Sequence, residues 1–232
     1  MASVAVIGAR GYVGSALVLA LKQIGEYSVS EVTRENYSEM QTSDFDILIN
    51  CAMPAARFFA KNNPEEDFKE TVEKTAHLLY GWHYKKFVQI STVSARCQLD
   101  TVYGRHKAAA EKLCDYGENL IVRLGPMYSS DLQKGVLVDM RQGNTVYVDG
   151  ESRYCFIHRD FVAHWITAHL DRRGIVEVGA RNSIALKEIA QHLDTPIIFN
   201  GALDHQEIPE PESDFPDARD VLAFLDNWKV AP

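Results

Sequence analysis

The sequence predicts an α/β protein: a doubly wound, Rossmann-like parallel sheet with a small C-terminal substrate lobe. Three observations predict it. Short β-branched runs alternate with longer helical patterns along the chain. The strand candidates are almost wholly apolar, as strands buried on both faces are. And the first of them runs directly into a glycine-rich turn that opens a helix.

The strand candidates, in order, are Val4–Ile7, Tyr27–Thr33, Asp46–Asn50, Lys86–Ser91, Leu120–Leu124 and Ile175–Gly179. Helical patterns fall between them at Tyr12–Ile24, Glu65–Tyr80, Thr101–Tyr116 and Phe161–Leu170. This alternation calls for parallel strands with helical crossovers. After Gly125 the regularity weakens. Residues 1–126 therefore read as a dinucleotide-binding core, completed by about 153–180, with 127–152 and 181–232 forming the lobe. Within the lobe, Ile208–Pro216 is acidic and proline-rich, hence a loop.

Bulk properties narrow the function classes. At 232 residues, 46% hydrophobic and 24% charged, the chain has ordinary globular composition. A net charge of −8 and a pI near 5.5 argue against nucleic acid or an anionic membrane as partner. Cys51, Cys97, Cys114 and Cys155 are scattered, which suits reduced thiols in a cytoplasmic protein. Val4 begins a strand too early for a signal peptide to precede it, and Tyr12–Leu21 is too short to span a bilayer. The eight histidines form no ligand-spaced cluster, so no metal is expected.

The turn after the first strand reads Gly8-Ala9-Arg10-Gly11-Tyr12-Val13-Gly14. Gly8 allows a tight turn, Gly11 lets backbone approach a pyrophosphate, and Gly14 lets helix pack on strand. The helix N-terminus then offers N–H groups and partial positive charge to phosphates. The second strand ends in Thr33-Arg34, and Arg34 with Arg10 can converge on a 2′-phosphate. That favours NADP. Glu31 is the alternative, an acid able to hold the ribose diol of NAD.

A second constellation carries the chemistry. The strand Lys86–Ile90 delivers Ser91-Thr92 at its C-terminal end, where doubly wound sheets place their ligands. Tyr103 follows, then Lys107, at i and i+4 on one helix face. Free tyrosine has a pKa of about 10, and an adjacent ammonium favours its phenolate. Tyr103 is thus the candidate acid–base group and Lys107 its tuning cation, which also holds ribose hydroxyls. Thr92 or Ser91 can hydrogen-bond the reacting oxygen. His106, inside this interval, points off that face.

With these residues placed, the chain resembles the extended short-chain dehydrogenase/reductase superfamily, in its nucleotide-sugar epimerase, dehydratase and reductase branch. Further segments match: Asp46–Ala52, Asn63–Phe68, Leu124–Tyr128, Phe156–His158 and Val176–Gly179. The resemblance implies that Cys51 and Ala52, and Leu124 and Gly125, lie beside the cofactor. The first 34 residues are most similar to GDP-fucose synthases, whose arginines at these two positions face a 2′-phosphate. The departures are Thr71 where the family often has asparagine, Phe161 where it has aspartate, and a short interval between Thr92 and Tyr103. The reading is an NADP(H)-dependent oxidoreductase reducing the keto group of a nucleotide sugar or similar carbonyl compound. Two alternatives stand beside it, an epimerase or dehydratase with bound NAD and a non-catalytic NADP-binding subunit. A homodimer is left open.

Overall fold

A computed structural model describes residues 1–229. The chain folds into two compact units, residues 1–123 with 163–176, and residues 124–162 with the chain from Glu177 onward.

In chain order the first elements are β1 (Ala2–Ile7), α1 (Tyr12–Ile24), β2 (Tyr27–Val32), α2 (Tyr37–Met40) and β3 (Asp44–Asn50). Then come α3 (Arg57–Asn62), α4 (Pro64–Phe68), a π-helical turn (Lys69–Glu73), α5 (Lys74–Gly81) and β4 (His83–Thr92). The short α6 (Ser94–Cys97) leads to α7 (Val102–Cys114) and β5 (Leu120–Leu124). The remainder is β6 (Met127–Tyr128), α8 (Val136–Arg141), β7 (Arg153–Tyr154), β8 (Ile157–His158), α9 (Arg159–Ala168), β9 (Gly174–Val178), β10 (Ile184–Ala185), α10 (Leu186–Leu193) and α11 (Asp220–Asn227).

Six strands form one sheet in the order β2-β1-β3-β4-β5-β9. The β1–β2, β1–β3 and β3–β4 pairings are all parallel. Strand order reverses between β1 and β3, and the carboxyl ends of those strands flank the crevice where open α/β sheets bind ligands. Along one row, Ala5, Leu48 and Phe87 stand side by side on β1, β3 and β4, all fully buried. Leu78, Leu79, Trp82 and Ile121 pack into the same core. This double-sided burial is why the strands read as unbroken apolar runs.

The segment read as one helix over 65–80 is three pieces. Pro64 opens it at a position where a missing N–H costs nothing, and the π turn Lys69–Glu73 interrupts it. That turn carries Thr71, fully buried, whose carbonyl accepts a hydrogen bond from Thr75 Oγ1 at 2.6 Å. Single π turns inside α-helices are frequent at functional sites.

In the second unit Tyr128, Met140, Tyr154, Phe156, Ile189, Phe215 and Leu225 are buried. β7 pairs antiparallel with β10 and β8 pairs with β6, which assigns residues 153–162 here and not, as the sequence pattern suggests, to the sheet core. Two-residue strands carry too little periodicity to be seen beforehand. The 208–216 segment is irregular and anchored by the buried ring of Phe215. The last three residues assigned to the lobe, 230–232, lie outside the described residues. Among the described residues no helix is long and apolar enough to cross a membrane.

Leu48 gives a test of the core. Leu48→Ala should lower unfolding free energy by about 2–5 kcal/mol, while Leu48→Met should cost under about 1.5 kcal/mol. Equal costs in chemical denaturation would mean the row at Leu48 is not close-packed.

Candidate active site

The glycine-rich turn is built at the switch between β1 and β3. Gly8 has φ +78°, a conformation side-chain-bearing residues rarely adopt. A Cβ there would lie 3.0 Å from the Ala52 backbone. Amides of Gly8 and Ala9 both reach the Val32 carbonyl at 3.1 and 3.3 Å, and Cys51 N–H donates to the Ile7 carbonyl at 2.9 Å. The ends of β1, β2 and β3 are thereby laced together. A Cβ on Gly14 would meet the Gly8 carbonyl at 2.2 Å, so only glycine lets α1 start this close to the strand. Tyr12 and Val13 open α1, whose first turn has no acidic residue and whose N-cap, Gly11, brings no side chain. The result is a bare backbone cradle at a helix N-terminus, which fits a dinucleotide pyrophosphate. Cys51 and Ala52 close its far side, with the Ala52 amide held by Asn50 Oδ1 at 3.0 Å.

The end of β2 differs from the sequence reading. Asn36 organises the turn there, accepting from the Thr33 amide at 2.8 Å and donating to the Glu31 carbonyl at 2.9 Å. Glu31 pairs with Lys22 Nζ at 2.5 Å and is already engaged. The acid that stands beside the arginine is Glu35. It takes a 2.9 Å ion pair from Arg10 and a 2.7 Å hydrogen bond from Thr33 Oγ1, and these hold its carboxyl below the usual range. Arg34 is exposed, and among the described residues it has no hydrogen-bond or ion-pair partner. Of the two arginines, Arg10 is thus paired with a carboxylate.

The second constellation comes together as its spacing predicts. Thr101 caps α7, accepting from the Gly104 amide at 3.0 Å. The buried stripe of that helix is Tyr103, Lys107, Ala110, Glu111 and Cys114, so the inward face is polar at i, i+4 and i+8. Tyr103 is 7% exposed and Lys107 3%. The Lys107 ammonium sits 5.2 Å from the Tyr103 ring centroid.

Ser91 and Thr92 part company. Adjacent strand residues face opposite sides. The Ser91 hydroxyl is buried and donates to Glu111 Oε1 at 2.5 Å, leaving it occupied within the core. Thr92 is the member within hydrogen-bonding reach of the Tyr103 phenol, and its Oγ1 also accepts from the Ser94 amide at 3.3 Å. Of the two candidates for the reacting oxygen, Ser91 is thus the one bonded beneath α7.

Electrostatics here are set by burial. Desolvation pushes the Tyr103 hydroxyl up to about 12, with the Arg57 guanidinium and the Thr92 hydrogen bond opposing it and Asp67 adding to it. Arg57, at the start of α3, is a further cation acting on this phenol, one the sequence reading overlooked. Desolvation brings Lys107 down to about 7, against the carboxylates of Asp67 and Glu111. Asp67, fully buried, accepts from His106 Nδ1 at 2.7 Å. His106 is therefore packed against a carboxylate, not free in solvent.

Leu124 and Gly125 open the second unit. Leu124 is 4% exposed, and the Gly125 amide donates to the Val178 carbonyl at 2.8 Å. A Cβ on Gly125 would lie 2.7 Å from Cys155 Sγ, so this glycine packs against that thiol.

The sheet order, the cradle at the β1–β3 switch and the tyrosine–lysine face of α7 define a doubly wound protein of the extended short-chain dehydrogenase/reductase class. The chain belongs to the NAD dependent epimerase/dehydratase family, whose model matches residues 4–179. No curated protein sequence matches it. Among solved structures it is similar to TunA, an NAD dependent NDP-hexosamine 5,6-dehydratase involved in tunicamycin biosynthesis, with 16% identity over 99% of each chain and a TM-score of 0.74. It is similar to UDP-glucuronic acid 4-epimerase from Bacillus cereus, solved with UDP-glucuronic acid and NAD, with 18% identity over 99% of this chain and 95% of that one, TM-score 0.70. It is also similar to RMD from Pseudomonas aeruginosa, solved with NADPH, with 15% identity over 100% and 94%, TM-score 0.71. At these identities the likeness is one of fold.

The Glu35 carboxylate should bias the site against a 2′-phosphate. Glu35→Gln should raise NADPH affinity over NADH by about fivefold, the size of one exposed charge contact. Fluorescence titration of both nucleotides reads this ratio, and an unchanged ratio would remove Glu35 from cofactor choice.

Proposed function

We propose that the chain is an NAD-dependent nucleotide-sugar epimerase or dehydratase, with Tyr103 as its acid–base group. The observation that carries this is the pairing of buried Tyr103 and Lys107 on α7 with half-buried Thr92 at the C-terminal end of β4, in a member of the family. Family neighbours named for nucleotide-sugar epimerisation and dehydration support the same reading. The Arg10–Glu35 pair supports NAD over NADP, because a free ribose diol can share that carboxylate and a phosphate is repelled by it.

When bound, a nicotinamide cofactor would supply hydride transfer to and from a sugar carbon. The chain's residues supply the rest. Gly8, Gly11 and Gly14 clear the backbone for the pyrophosphate. Thr92 orients a sugar hydroxyl toward Tyr103, which removes its proton as the carbonyl forms and returns one later. Arg57 and the Thr92 hydroxyl pull Tyr103 back from its burial-raised range, and the Lys107 ammonium beside the ring favours the phenolate.

Reduction of a keto sugar by NADPH is the second reading. The unpaired Arg34 favours it, since an exposed guanidinium suits a 2′-phosphate.

The two readings separate on purification. Protein isolated without added nucleotide should carry close to stoichiometric NAD⁺ through gel filtration, because an epimerase or dehydratase must keep its cofactor between half-reactions. Reversible NADPH binding with no retained NAD⁺ would install the reductase instead. Tyr103→Phe should keep the cofactor and lose turnover of UDP-sugars by a factor on the order of 10²–10⁴. Undiminished turnover in that variant would end the assignment of Tyr103.

A further inference from the structure

Lys107 is an ammonium with almost no access to water, and what surrounds it decides whether it stays charged. From its own helix it is faced by Tyr103 and Glu111, and from α4 by Asp67. These two carboxylates are not equivalent. Glu111 is already compensated: Arg123 Nη2 donates to it at 2.7 Å and Nε at 3.1 Å, and Ser91 donates at 2.5 Å. Among the described residues Asp67 has no such Lys or Arg partner, only His106. Its Oδ2 takes one hydrogen bond from the His106 ring, while its Oδ1 is buried and, among the described residues, makes no hydrogen bond. One turn along, the Thr71 hydroxyl is also buried and, among the described residues, has no hydrogen-bond partner. Asp67 and Thr71 thus present two unsatisfied oxygens four residues apart, at the junction of α4 with the π turn.

His106 is the residue that fixes this carboxylate. It stands next to Lys107 on α7, and Phe68 packs edge-on against its ring at 5.5 Å between centroids. Its outer side lines an open depression of about 530 Å³ bordered by Glu65, Lys69 and Glu73. With Nδ1 bound to Asp67, the ring pins Oδ2, while Oδ1 is buried and, among the described residues, makes no hydrogen bond.

We propose that Asp67, held by His106, is the positioning residue that keeps Lys107 in its ammonium form. The inference rests on the function above only in taking a charged Lys107 as the working state. Burial draws Lys107 down to about 7, and the carboxylates of Asp67 and Glu111 work against that. With Glu111 neutralised by Arg123, Asp67 supplies the opposing field. Removing its charge lets burial prevail, so Lys107 should lose its proton at lower pH.

Asp67→Asn removes the charge and keeps an oxygen able to accept from His106. In protein labelled with ¹³Cε-lysine, the Lys107 signal, assigned by its loss in Lys107→Arg, should titrate near neutrality in the cofactor-free wild type. In Asp67→Asn the midpoint should fall by a unit or more, a tenfold loss of ammonium above neutrality. His106→Gln should move it the same way by less. An unmoved midpoint in folded Asp67→Asn would overturn the proposal. Should that variant fail to fold, an unmoved midpoint in His106→Gln would do so. As a second readout, NADH affinity in Asp67→Asn should be near wild type at pH 6 and at least tenfold weaker at pH 8; equal weakening at both would mark a merely structural role. The titration needs neither cofactor nor substrate. Wild type that shows the Lys107 midpoint but binds no dinucleotide would sink the proposed function and leave this inference standing.

Discussion

One buried carboxylate holds the site together. Glu111 on α7 takes the Ser91 hydroxyl from β4 and the Arg123 fork from β5, all within 3.1 Å. Three elements are joined at one point, and the joint is sealed from water, where losing a partner would strand a charge. Tyr103 lies two turns up the same helix, and Thr92 is the next residue along the same strand. Their approach to each other follows from how Glu111 seats the helix.

The same helix explains why the site is electrostatically tense. A stripe at helical spacing is ordinarily apolar when it faces a core. Here Tyr103, Lys107 and Glu111 occupy it, so polar groups are desolvated in a row. Desolvation drives the phenol and the ammonium each towards its neutral form. Arg57, Asp67 and Thr92 oppose those drifts from three other elements. Such opposition between burial and placed partners is characteristic of groups kept reactive near neutral pH.

Much of this was legible in the sequence, for local reasons. The turn from Gly8 to Gly14 needs glycine at fixed offsets, and Tyr103 and Lys107 need one helical turn between them; both are short-range constraints. The six long strands declare themselves because each is buried on both faces. Glu111 was open to the same periodicity, as the next i+4 step from Lys107, but a charged residue on an amphipathic helix reads first as solvent-facing. Asp67, Arg57 and Glu35 act on groups tens of residues away in the chain or, for Glu35, through a turn that Asn36 builds. Nothing in their immediate neighbours marks them. The choice between Ser91 and Thr92 depended on which face of β4 met α7, a matter of tertiary register. The second unit was least legible, its strands being two residues long.

The groups proposed to bear on the ribose and those proposed for the chemistry live in different mechanical settings. Arg10 and Glu35 are both about 70% exposed on loops, whereas Tyr103, Lys107 and Glu111 are locked in the interior. Substitutions at the first pair disturb little packing, while substitutions among the second touch the fold itself. Over evolutionary time the cofactor preference of such a chain can drift through neutral intermediates, leaving its reaction conserved. A lineage could thus move between oxidised and reduced nicotinamide pools by surface change alone.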